Sequence, residues 1–257
     1  MSWFKEAHPL PSEMRREVEL YLRVAHGTKK HISRTQVLLR QLWVQSRRRP
    51  YADLWPLLDA MCDVTARGTI TGAAIKSAFR RRLLELQGGR CCYCRRWLVS
   101  TAYAKPIEHV LPRRHYPQFS VEFWNVAVAC SDCNHAKTDD MWGTIAVMRR
   151  RYPRVQEFRE VFHPRFHRYD DHVRYVRLET NLSVVVMFTG LTPQGRHLCS
   201  SLLHRIAAKE TVVKNNPALA PSIDQIRSFE SKAEGLRLAN FDAFRAALDR
   251  SILRLLE

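Results

Sequence analysis

The sequence predicts an α+β protein that is mostly helical and is built around a small metal-stabilised core. Apolar residues recur at helical spacing in the first third of the chain, and two Cys-x-x-Cys pairs stand in the middle. Runs rich in Val and aromatic residues follow in the last third. Hydrophobic residues make up 46% of the 257 residues, which is enough to form a core and excludes wholesale disorder.

The sequence contains no segment that predicts a membrane span or an export signal. The longest apolar run covers 182–188 and is far shorter than the roughly 20 residues that a bilayer requires. The first eight residues, beginning at Met1, lack the apolar stretch of a secretory signal. We therefore expect a cytoplasmic protein with no membrane partner.

Residues 1–87 are predicted to form a basic helical region. One helix is expected over 11–27 and a second over 33–49. Thr71 is placed to cap a third helix, which the Gly-Gly pair at 88–89 should end. The apolar residues of this third helix, spaced by four, four and three, are Ile75, Phe79, Leu83 and Leu86.

Residues 144–257 are predicted to form a basic region of mixed α and β structure that packs on the core. Runs rich in Val and aromatic residues predict strands over 172–178 and 183–188, with a turn between them. A helix is expected to open at Thr192 and Pro193, and another to end the chain.

The chain is strongly basic, with 42 Lys and Arg against 25 Asp and Glu and a net charge of +17. Such an excess favours a polyanionic partner, because Lys and Arg attract phosphates and release their counterions. Solubility and anionic membranes are the other uses of a basic surface. Residues 1–90 carry +9, residues 91–143 carry +1 and residues 144–257 carry +7. We therefore expect the flanks to hold nucleic acid, and the arginines at 80–82 fit either a phosphate-facing stripe or a solvated helix face.

The middle of the chain, residues 88–143, contains two Cys-x-x-Cys pairs. Cys91 and Cys94 form the first pair and Cys130 and Cys133 the second, with 35 residues between them. Tetrahedral zinc requires four such ligands, and a two-residue gap lets each turn direct both sulfurs at one ion. The pattern predicts a closed structural Zn²⁺ site that holds the fold and takes no part in catalysis.

Other uses of the cysteines fit the sequence less well. Disulfides require an oxidising compartment, and the chain has an odd number of cysteines, seven. A redox Cys-x-x-Cys would occur once, without a second pair. Cys92 competes with Cys91, but only Cys91 has the two-residue gap to Cys94. Cys62 and Cys199 fall in helical apolar patterns, so we expect both to be buried thiols.

Polar residues suited to catalysis stand inside this zinc frame and directly after it. They are Glu108, His109 and Asn125 between the two Cys pairs, and Asn134 and Lys137 after the second pair. The order is Cys-x-x-Cys, an acidic residue and His, Asn, then Cys-x-x-Cys-Asn-x-x-Lys. With this order, the stretch 88–143 resembles the zinc-stabilised HNH endonucleases, whose active site is a ββα-metal unit.

The resemblance implies a role for each of these residues. His109 would be the general base on the first strand of the unit, and Glu108 and Asn134 would ligate a catalytic Mg²⁺ or Mn²⁺ ion. Asn125 would hold the loop that orients His109. The chain departs from the family pattern at Glu108, where many members have Asp. It also has Asn134 where the family name implies His, with the adjacent His135 as the alternative ligand.

These residue types suit the hydrolysis of a phosphodiester. A His near its ordinary pKa can deprotonate water at neutral pH. A hard divalent cation held by oxygen ligands neutralises the charge that develops on the phosphorus centre and the leaving oxygen. Lys137 and Arg113 are expected to steady the scissile phosphate. His163, His167 and His172 are expected to be structural or surface residues.

Within the family, the stretch from Cys91 to Lys137 is similar to the PtuB-like HNH effectors of Septu and retron-associated anti-phage systems. This similarity, which extends more loosely to 162–173 and 190–202, implies an SMC-like ATPase partner and a role in defence. DNA is favoured over RNA as the substrate. Two alternatives remain open. One is a non-catalytic zinc module that binds nucleic acid or scaffolds a partner, and the other is a nuclease of restriction or of a mobile element.

Overall fold

The structure is a computed structural model that describes most of the chain from residue 32 onward. The described residues are 32–49, 51–66, 68–98, 105–139, 145, 151–181, 183–216, 221–222, 225–226, 228–229 and 239–254. The helix expected over 11–27 lies outside them. Within these ranges, the helices are all too short or too polar to cross a membrane.

The N-terminal part of the described chain forms helices and one hairpin. Helix α1 covers Ile32–Arg48, the short α2 covers Trp55–Asp59 and α3 covers Gly72–Leu86. Strands β1 (Cys62–Thr65) and β2 (Gly68–Thr71) pair antiparallel between α2 and α3. The helices predicted over 33–49 and after residue 71 are therefore confirmed.

The signals that start and end α3 act as the sequence predicts. The Thr71 hydroxyl accepts a hydrogen bond from the amide N–H of Ala74 at 3.2 Å. Gly88 and Gly89 have φ angles of 60° and 70°, in the left-handed region that glycine adopts without a steric penalty. The helix buries one apolar face, which includes Ile75, Phe79 and Leu83.

The β1–β2 hairpin is not predicted by the sequence, and it corrects the expectation for Cys62. This residue begins β1 and is exposed, rather than buried in a helix. Exposed and half-buried positions alternate along β1, and Cys62 lies on the exposed side. A four-residue strand is too short for its alternation to stand out from helical spacing. Cys199, by contrast, is buried as expected.

The middle of the chain forms a strand, a long loop, a second strand and a helix. Strand β3 covers Ile107–His109 and β4 covers Val126–Val128. They pair antiparallel, with Glu108 opposite Ala127. The loop between them contains 3₁₀ turns at Pro117–Phe119 and Phe123–Asn125. Helix α4 follows β4 at Ser131–Lys137.

The C-terminal part confirms the predicted mixture of strands and helices. A one-turn helix α5 (Tyr169–His172) leads into β5 (Val173–Glu179), which pairs antiparallel with β6 (Val184–Gly190). Thr192 caps α6 (Pro193–Leu198), which continues through a π-helical turn at Cys199–Leu203 into α7 (His204–Lys214). Helix α8 covers Ala239–Arg254. These elements confirm the α+β class.

A single hydrophobic cluster joins the described parts of the three predicted regions. It runs from Leu39 in α1 through the cysteine-rich middle to Ala207 in α7. A second, small cluster lies at Val213, packed against Val212, Ile226 and Leu248. The boundaries at 87 and 143 stay predictions.

A buried glutamine joins α3 to the edge of β4. The Gln87 amide accepts a hydrogen bond from the Val128 N–H at 2.8 Å and donates one to the Val128 carbonyl at 2.8 Å. It also donates to the Arg90 carbonyl at 2.7 Å. The side chain thus occupies the place of a neighbouring strand and fixes the end of α3 against the central unit.

Replacement of Gln87 by Met tests this contact, because Met has a similar shape but no hydrogen-bonding group. We expect the free energy of unfolding to fall by about 2–3 kcal/mol, since the Val128 N–H and the Arg90 carbonyl lose their buried partner. Denaturant unfolding measures the change. The matched control is Gln45→Met on the exposed side of α1. Equal stability losses in the two variants would contradict the role of Gln87.

Candidate active site and metal centre

Four buried cysteines meet at one point of the central unit. The sulfurs of Cys91, Cys94, Cys130 and Cys133 all lie within 4.8 Å of one another. The Cys94 and Cys130 sulfurs are 3.8 Å apart. A tetrahedral Zn²⁺ ion with Zn–S distances of about 2.3 Å places its sulfurs about 3.8 Å apart. The donor set and its spacing therefore fit a zinc ion, and the grouping predicted from the sequence is confirmed.

Local structure explains why these four side chains converge. The first pair lies in a turn that Arg90 and Trp97 close by a backbone bridge, and Arg95 turns the chain with a φ of 61°. The second pair lies at the start of α4, where Cys130 is the N-cap. The amide N–H of Cys130 donates to the Cys91 sulfur at 3.3 Å, a contact that favours thiolate over thiol.

Cys92 is excluded from this centre, as its spacing predicts. Its side chain is fully buried, and burial together with the Cys91 thiol raises its pKa well above the ordinary value. Cys92 therefore stays a neutral thiol in the core. Its backbone N–H donates to the Val128 carbonyl at 3.0 Å, so the residue fastens the first cysteine turn to β4.

Glu108 lies on β3 in a closed polar contact with two other buried side chains. The ammonium group of Lys137, on α4, is 2.8 Å from Oε1 of Glu108. The Tyr93 hydroxyl donates to the same oxygen at 3.2 Å. Burial raises the pKa of Glu108, while the charge of Lys137 opposes that rise. Tyr93 lies between Cys91 and Cys94 in sequence, so one turn supplies both two of the clustered cysteines and a hydrogen bond to Glu108.

His109 follows Glu108 on β3, and its imidazole is held in one tautomer. Nε2 lies 2.9 Å from the backbone carbonyl of Ser120. A carbonyl oxygen only accepts, so Nε2 must carry the proton and Nδ1 keeps a free lone pair. The edge of the ring packs against Trp55 in a T-shaped contact with centroids 4.6 Å apart. Burial and the nearby Arg113 charge lower the pKa of His109 to about 3, so the ring is neutral over a wider pH range than the sequence suggested.

Asn125 holds the loop that carries Ser120. Its side chain is fully buried and makes bonds to both sides of the loop. Oδ1 accepts from the Leu111 N–H at 2.7 Å, and Nδ2 donates to the carbonyls of Leu111 and Phe119, each at 3.0 Å. Because Ser120 directly follows Phe119, these bonds fix the carbonyl that orients His109.

A half-buried tyrosine and a buried histidine support Asn125. The Tyr152 hydroxyl donates to Oδ1 of Asn125 at 3.1 Å and lies 2.7 Å from Nε2 of His163. Nδ1 of His163 accepts from the Arg165 N–H, so Nε2 is the protonated nitrogen and donates to Tyr152. His163 thus donates to the Tyr152 hydroxyl, and Tyr152 donates to Asn125. This series of hydrogen bonds agrees with the structural role expected of His163.

The other predicted site residues are Asn134, Lys137 and Arg113, and they differ in whether their side chains already have a partner. Asn134 and Lys137 are three residues apart on α4 and therefore share a face, and Lys137 contacts Glu108 from that face. Within the described part of the chain, the Asn134 amide makes no hydrogen bond, and it is half-buried. Arg113 donates to the carboxylate of Asp53 at 2.7 Å. The phosphate-binding role expected of Lys137 and Arg113 stays a prediction, since both are ion-paired here.

The sequence does not predict several residues that support the site. They come from separate loops and helices, and no spacing relates them to Glu108 or His109; they are Trp55, Ser120, Tyr152 and His163. Tyr93 is the exception, because its place between two predicted zinc ligands marks it as part of the centre. Glu108 and His109 are consecutive residues of β3, and their side chains have different partners: Glu108 contacts Tyr93 and Lys137, whereas His109 contacts Ser120 and Trp55.

Single cysteine substitutions test the metal centre. We expect the purified protein to hold one zinc ion per chain, and Cys133→Ser to lose it together with cooperative folding, because metal binding and folding are coupled in such sites. Elemental analysis and thermal unfolding measure both. Cys92→Ala is the matched control, since Cys92 is equally buried but lies outside the cluster. Zinc retained by Cys133→Ser, or lost equally by the control, would contradict the assignment.

Buried histidines predict that acid weakens the fold. Burial and the neighbouring His172 lower the pKa of His167 to about 4, and burial also lowers the pKa of His163. Between pH 6.5 and 4 the unfolded chain binds protons that the folded chain refuses, so stability is complete above pH 6.5 and falls below it. For each such histidine, we expect a loss of about 1.4 kcal/mol per pH unit.

Urea unfolding of His167→Asn at several pH values isolates one of these contributions. Asn keeps an acceptor near the position of Nδ1, which receives the His163 N–H. We expect the slope of unfolding free energy against pH to become shallower by about 1.4 kcal/mol per pH unit between pH 6 and 4. His204→Asn, on the exposed side of α7, serves as control. An unchanged slope in His167→Asn would refute this origin of acid sensitivity.

Comparison with known proteins does not assign the chain to a family. No protein-family model, curated protein or solved structure matches it. The function is therefore inferred from the residues of the central unit and from the contacts that they make.

Proposed function

We propose that the chain is a metal-dependent endonuclease of the HNH type that hydrolyses phosphodiester bonds, with DNA favoured over RNA. The observation that carries the proposal is the state of His109. Its Nε2–H is held by the Ser120 carbonyl, so Nδ1 keeps a lone pair that can accept a proton. A general base needs such an acceptor within reach of the proton that it takes.

His109 would take the proton of the attacking water on Nδ1. Deprotonation makes the water a competent nucleophile toward phosphorus, and the proton stays on His109, whose ring becomes an imidazolium. Because Asn125 fixes the loop that carries Ser120, the imidazole stays oriented during the proton transfer. Ring orientation is therefore determined by backbone geometry rather than by a second charged side chain.

A catalytic cation would be held by Glu108 and Asn134. The bonds that Glu108 forms with Tyr93 and Lys137 both fall on Oε1, which leaves Oε2 available. The Asn134 amide lies on the helix face that Lys137 also uses. Carboxylate and amide oxygens suit Mg²⁺ or Mn²⁺, and when bound such an ion would neutralise charge on the scissile phosphate and the leaving oxygen.

Zinc at the four-cysteine cluster would serve structure in this proposal. All four thiols are buried and together complete a tetrahedral set, so no position is left for water or substrate. The centre fixes the first cysteine turn against α4. It thereby sets the positions of Tyr93 and Lys137, which meet at Glu108.

The biological setting proposed is anti-phage defence, with an SMC-like ATPase as the partner. Its support is the similarity of the stretch from Cys91 to Lys137 to PtuB-like effectors. The net charge of +17 agrees with a nucleic-acid substrate. A nuclease of restriction or of a mobile element would use the same site chemistry.

A non-catalytic zinc module is the second candidate, and one observation favours it. The Glu108 and Lys137 side chains satisfy each other in the interior, as residues of purely structural importance do. Such a module needs the four cysteines but not the imidazole of His109. The two candidates therefore separate on the effect of changing His109 alone.

Cleavage of labelled DNA and RNA with Mg²⁺ or Mn²⁺ tests the proposal. We expect His109→Ala to lose cleavage by about 10²–10⁴-fold, which is the usual contribution of a positioned general base. Zinc content should stay unchanged, because the hydrogen bond and ring contact of the His109 side chain are with Ser120 and Trp55. Thermal unfolding checks that the variant is still folded, since loss of the bond to the Ser120 carbonyl lowers its stability.

His115→Ala is the matched control, since His115 is half-buried and lies in the loop that follows His109 between β3 and β4. It should cleave at the rate of the unmodified protein. Full cleavage by highly purified His109→Ala would overturn the nuclease assignment, as would wild-type cleavage that is insensitive to EDTA. Absence of any cleavage by the wild type with both nucleic acids would favour the non-catalytic module.

A further inference from the structure

An open groove lies beside the first cysteine turn and shares no lining residue with the candidate active site. Two adjoining cavities of about 390 and about 380 Å³ form it. Both are lined by Arg90 and Arg95 and by Tyr175 of β5. The outer parts of the groove are lined by Trp97, Arg174 and Lys214.

The groove carries an excess of positive charge after its internal ion pairs are counted. Arg96 is bound by Asp132 at 2.6 Å and by Glu210 at 3.0 Å, and Glu210 also pairs with Arg177. These contacts satisfy the basic residues at the inner wall. The other cations that line the groove are Arg90, Arg95, Arg174 and Lys214. The other acidic residues there are Asp170 and Glu179, and Glu179 pairs with Arg177 at 2.8 Å.

The outer cations are available to a ligand. Arg174 and Lys214 are both exposed and form no ion pair within the part of the chain that the structure describes. Arg90 and Arg95 both line each of the two cavities, so like charges face the same groove. Clustered cations that repel one another gain stability when an anion binds between them.

An exposed aromatic ring lies beside these cations. Trp97 is 53% exposed although it is the largest kind of apolar side chain. The guanidinium carbon of Arg90 lies 3.7 Å from the centre of the indole ring, which fixes the orientation of the ring. A rigid exposed ring next to arginines is the arrangement on which nucleic-acid bases stack while their phosphates meet the cations.

We propose that this groove binds a single strand of nucleic acid, with phosphates at Arg90, Arg95 and Arg174 and a base stacked on Trp97. The inference rests on the proposed function in one respect, namely that the strand is the substrate of the nuclease. A strand fits better than a free anion, because the groove is open and spans two cavities and because it adds an aromatic platform to its cations.

The cysteine centre shapes this groove as well as the catalytic site. Arg95 lies directly after Cys94, and the Arg90 guanidinium donates to the Arg95 carbonyl at 3.2 Å. The same turn therefore contains Tyr93, which contacts Glu108, and the two groove cations Arg90 and Arg95. Zinc bound to this turn would fix the distance between the strand-binding arginines and Glu108.

Fluorescence anisotropy with a labelled oligothymidylate of about 12 nucleotides tests the proposal. All variants are made in the full-length His109→Ala chain without added Mg²⁺ or Mn²⁺, so that cleavage does not enter the measurement. We expect Trp97→Ala to weaken binding about tenfold and Trp97→Phe to change it less than about threefold, because Phe still stacks. Arg174→Glu should reduce the dependence of log K on log salt by about 0.7 for each phosphate that the variant no longer neutralises.

Arg159→Glu is the matched control, because it makes the same charge change at an exposed arginine outside the groove. Its binding should equal that of the parent, and zinc content and thermal unfolding confirm that every variant is folded. Equal losses in Arg159→Glu and Arg174→Glu would overturn the proposal, as would unchanged binding in Trp97→Ala. Displacement of the strand by pyrophosphate at equal concentration would do so too, since it would indicate a small anion as the ligand.

Strand binding by the groove and cleavage by the proposed nuclease can be tested separately. Strand binding that depends on Trp97 and Arg174, combined with no cleavage by the unmodified chain, would support the groove and refute the nuclease. Cleavage that requires His109 but ignores Trp97 and Arg174 would refute the groove and support the nuclease.

Discussion

The meeting of four cysteine sulfurs is the constraint on which the rest of the central unit depends. It joins the turn at Cys91 and Cys94 to the start of α4, two segments that the β3–β4 unit separates in sequence. Helix α4 has seven residues, too few to be stable by itself in water. A metal ion shared by its first turn and the opposite turn would offset that cost. The contacts of Lys137 with Glu108 and of Tyr93 with the same carboxylate require both segments to be in place.

Burial disfavours the charged forms of both Glu108 and His109, which moves their pKa values in opposite directions. It raises the pKa of Glu108 but leaves that carboxylate beside Lys137, whose charge favours the ionised form. It also lowers the pKa of His109, so the imidazole stays neutral and its unprotonated nitrogen stays available. Glu108 and His109 are adjacent on β3 but differ in proton affinity, because Glu108 contacts Lys137 on α4 and His109 contacts Ser120 in the loop. The buried ion pair is costly to desolvate, and the hydrogen bond from Tyr93 to the same carboxylate oxygen offsets part of that cost.

What the sequence could predict follows from how local each signal is. The cysteine cluster and the start of α3 were accessible because ligand spacing and capping at Thr71 are local and specific. The β1–β2 hairpin was missed because four-residue strands carry little periodicity, and Cys62 was misplaced with it. The Tyr152–His163 support of Asn125 joins residues whose sequence separation encodes no pattern. The sequence predicts Lys137 to bind phosphate, which stays a prediction, and only three-dimensional packing reveals its bond to Glu108.

Burial and the Ser120 carbonyl keep His109 neutral with its proton on Nε2, and the proposed proton transfer depends on that state. The most direct measurement is the pair of imidazole ¹⁵N chemical shifts of His109, assigned by comparison with His109→Ala in the zinc-loaded protein at neutral pH. We expect a protonated Nε2 that donates a hydrogen bond and an unprotonated Nδ1. A doubly protonated ring, a proton on Nδ1, or rapid exchange between the two tautomers would contradict it.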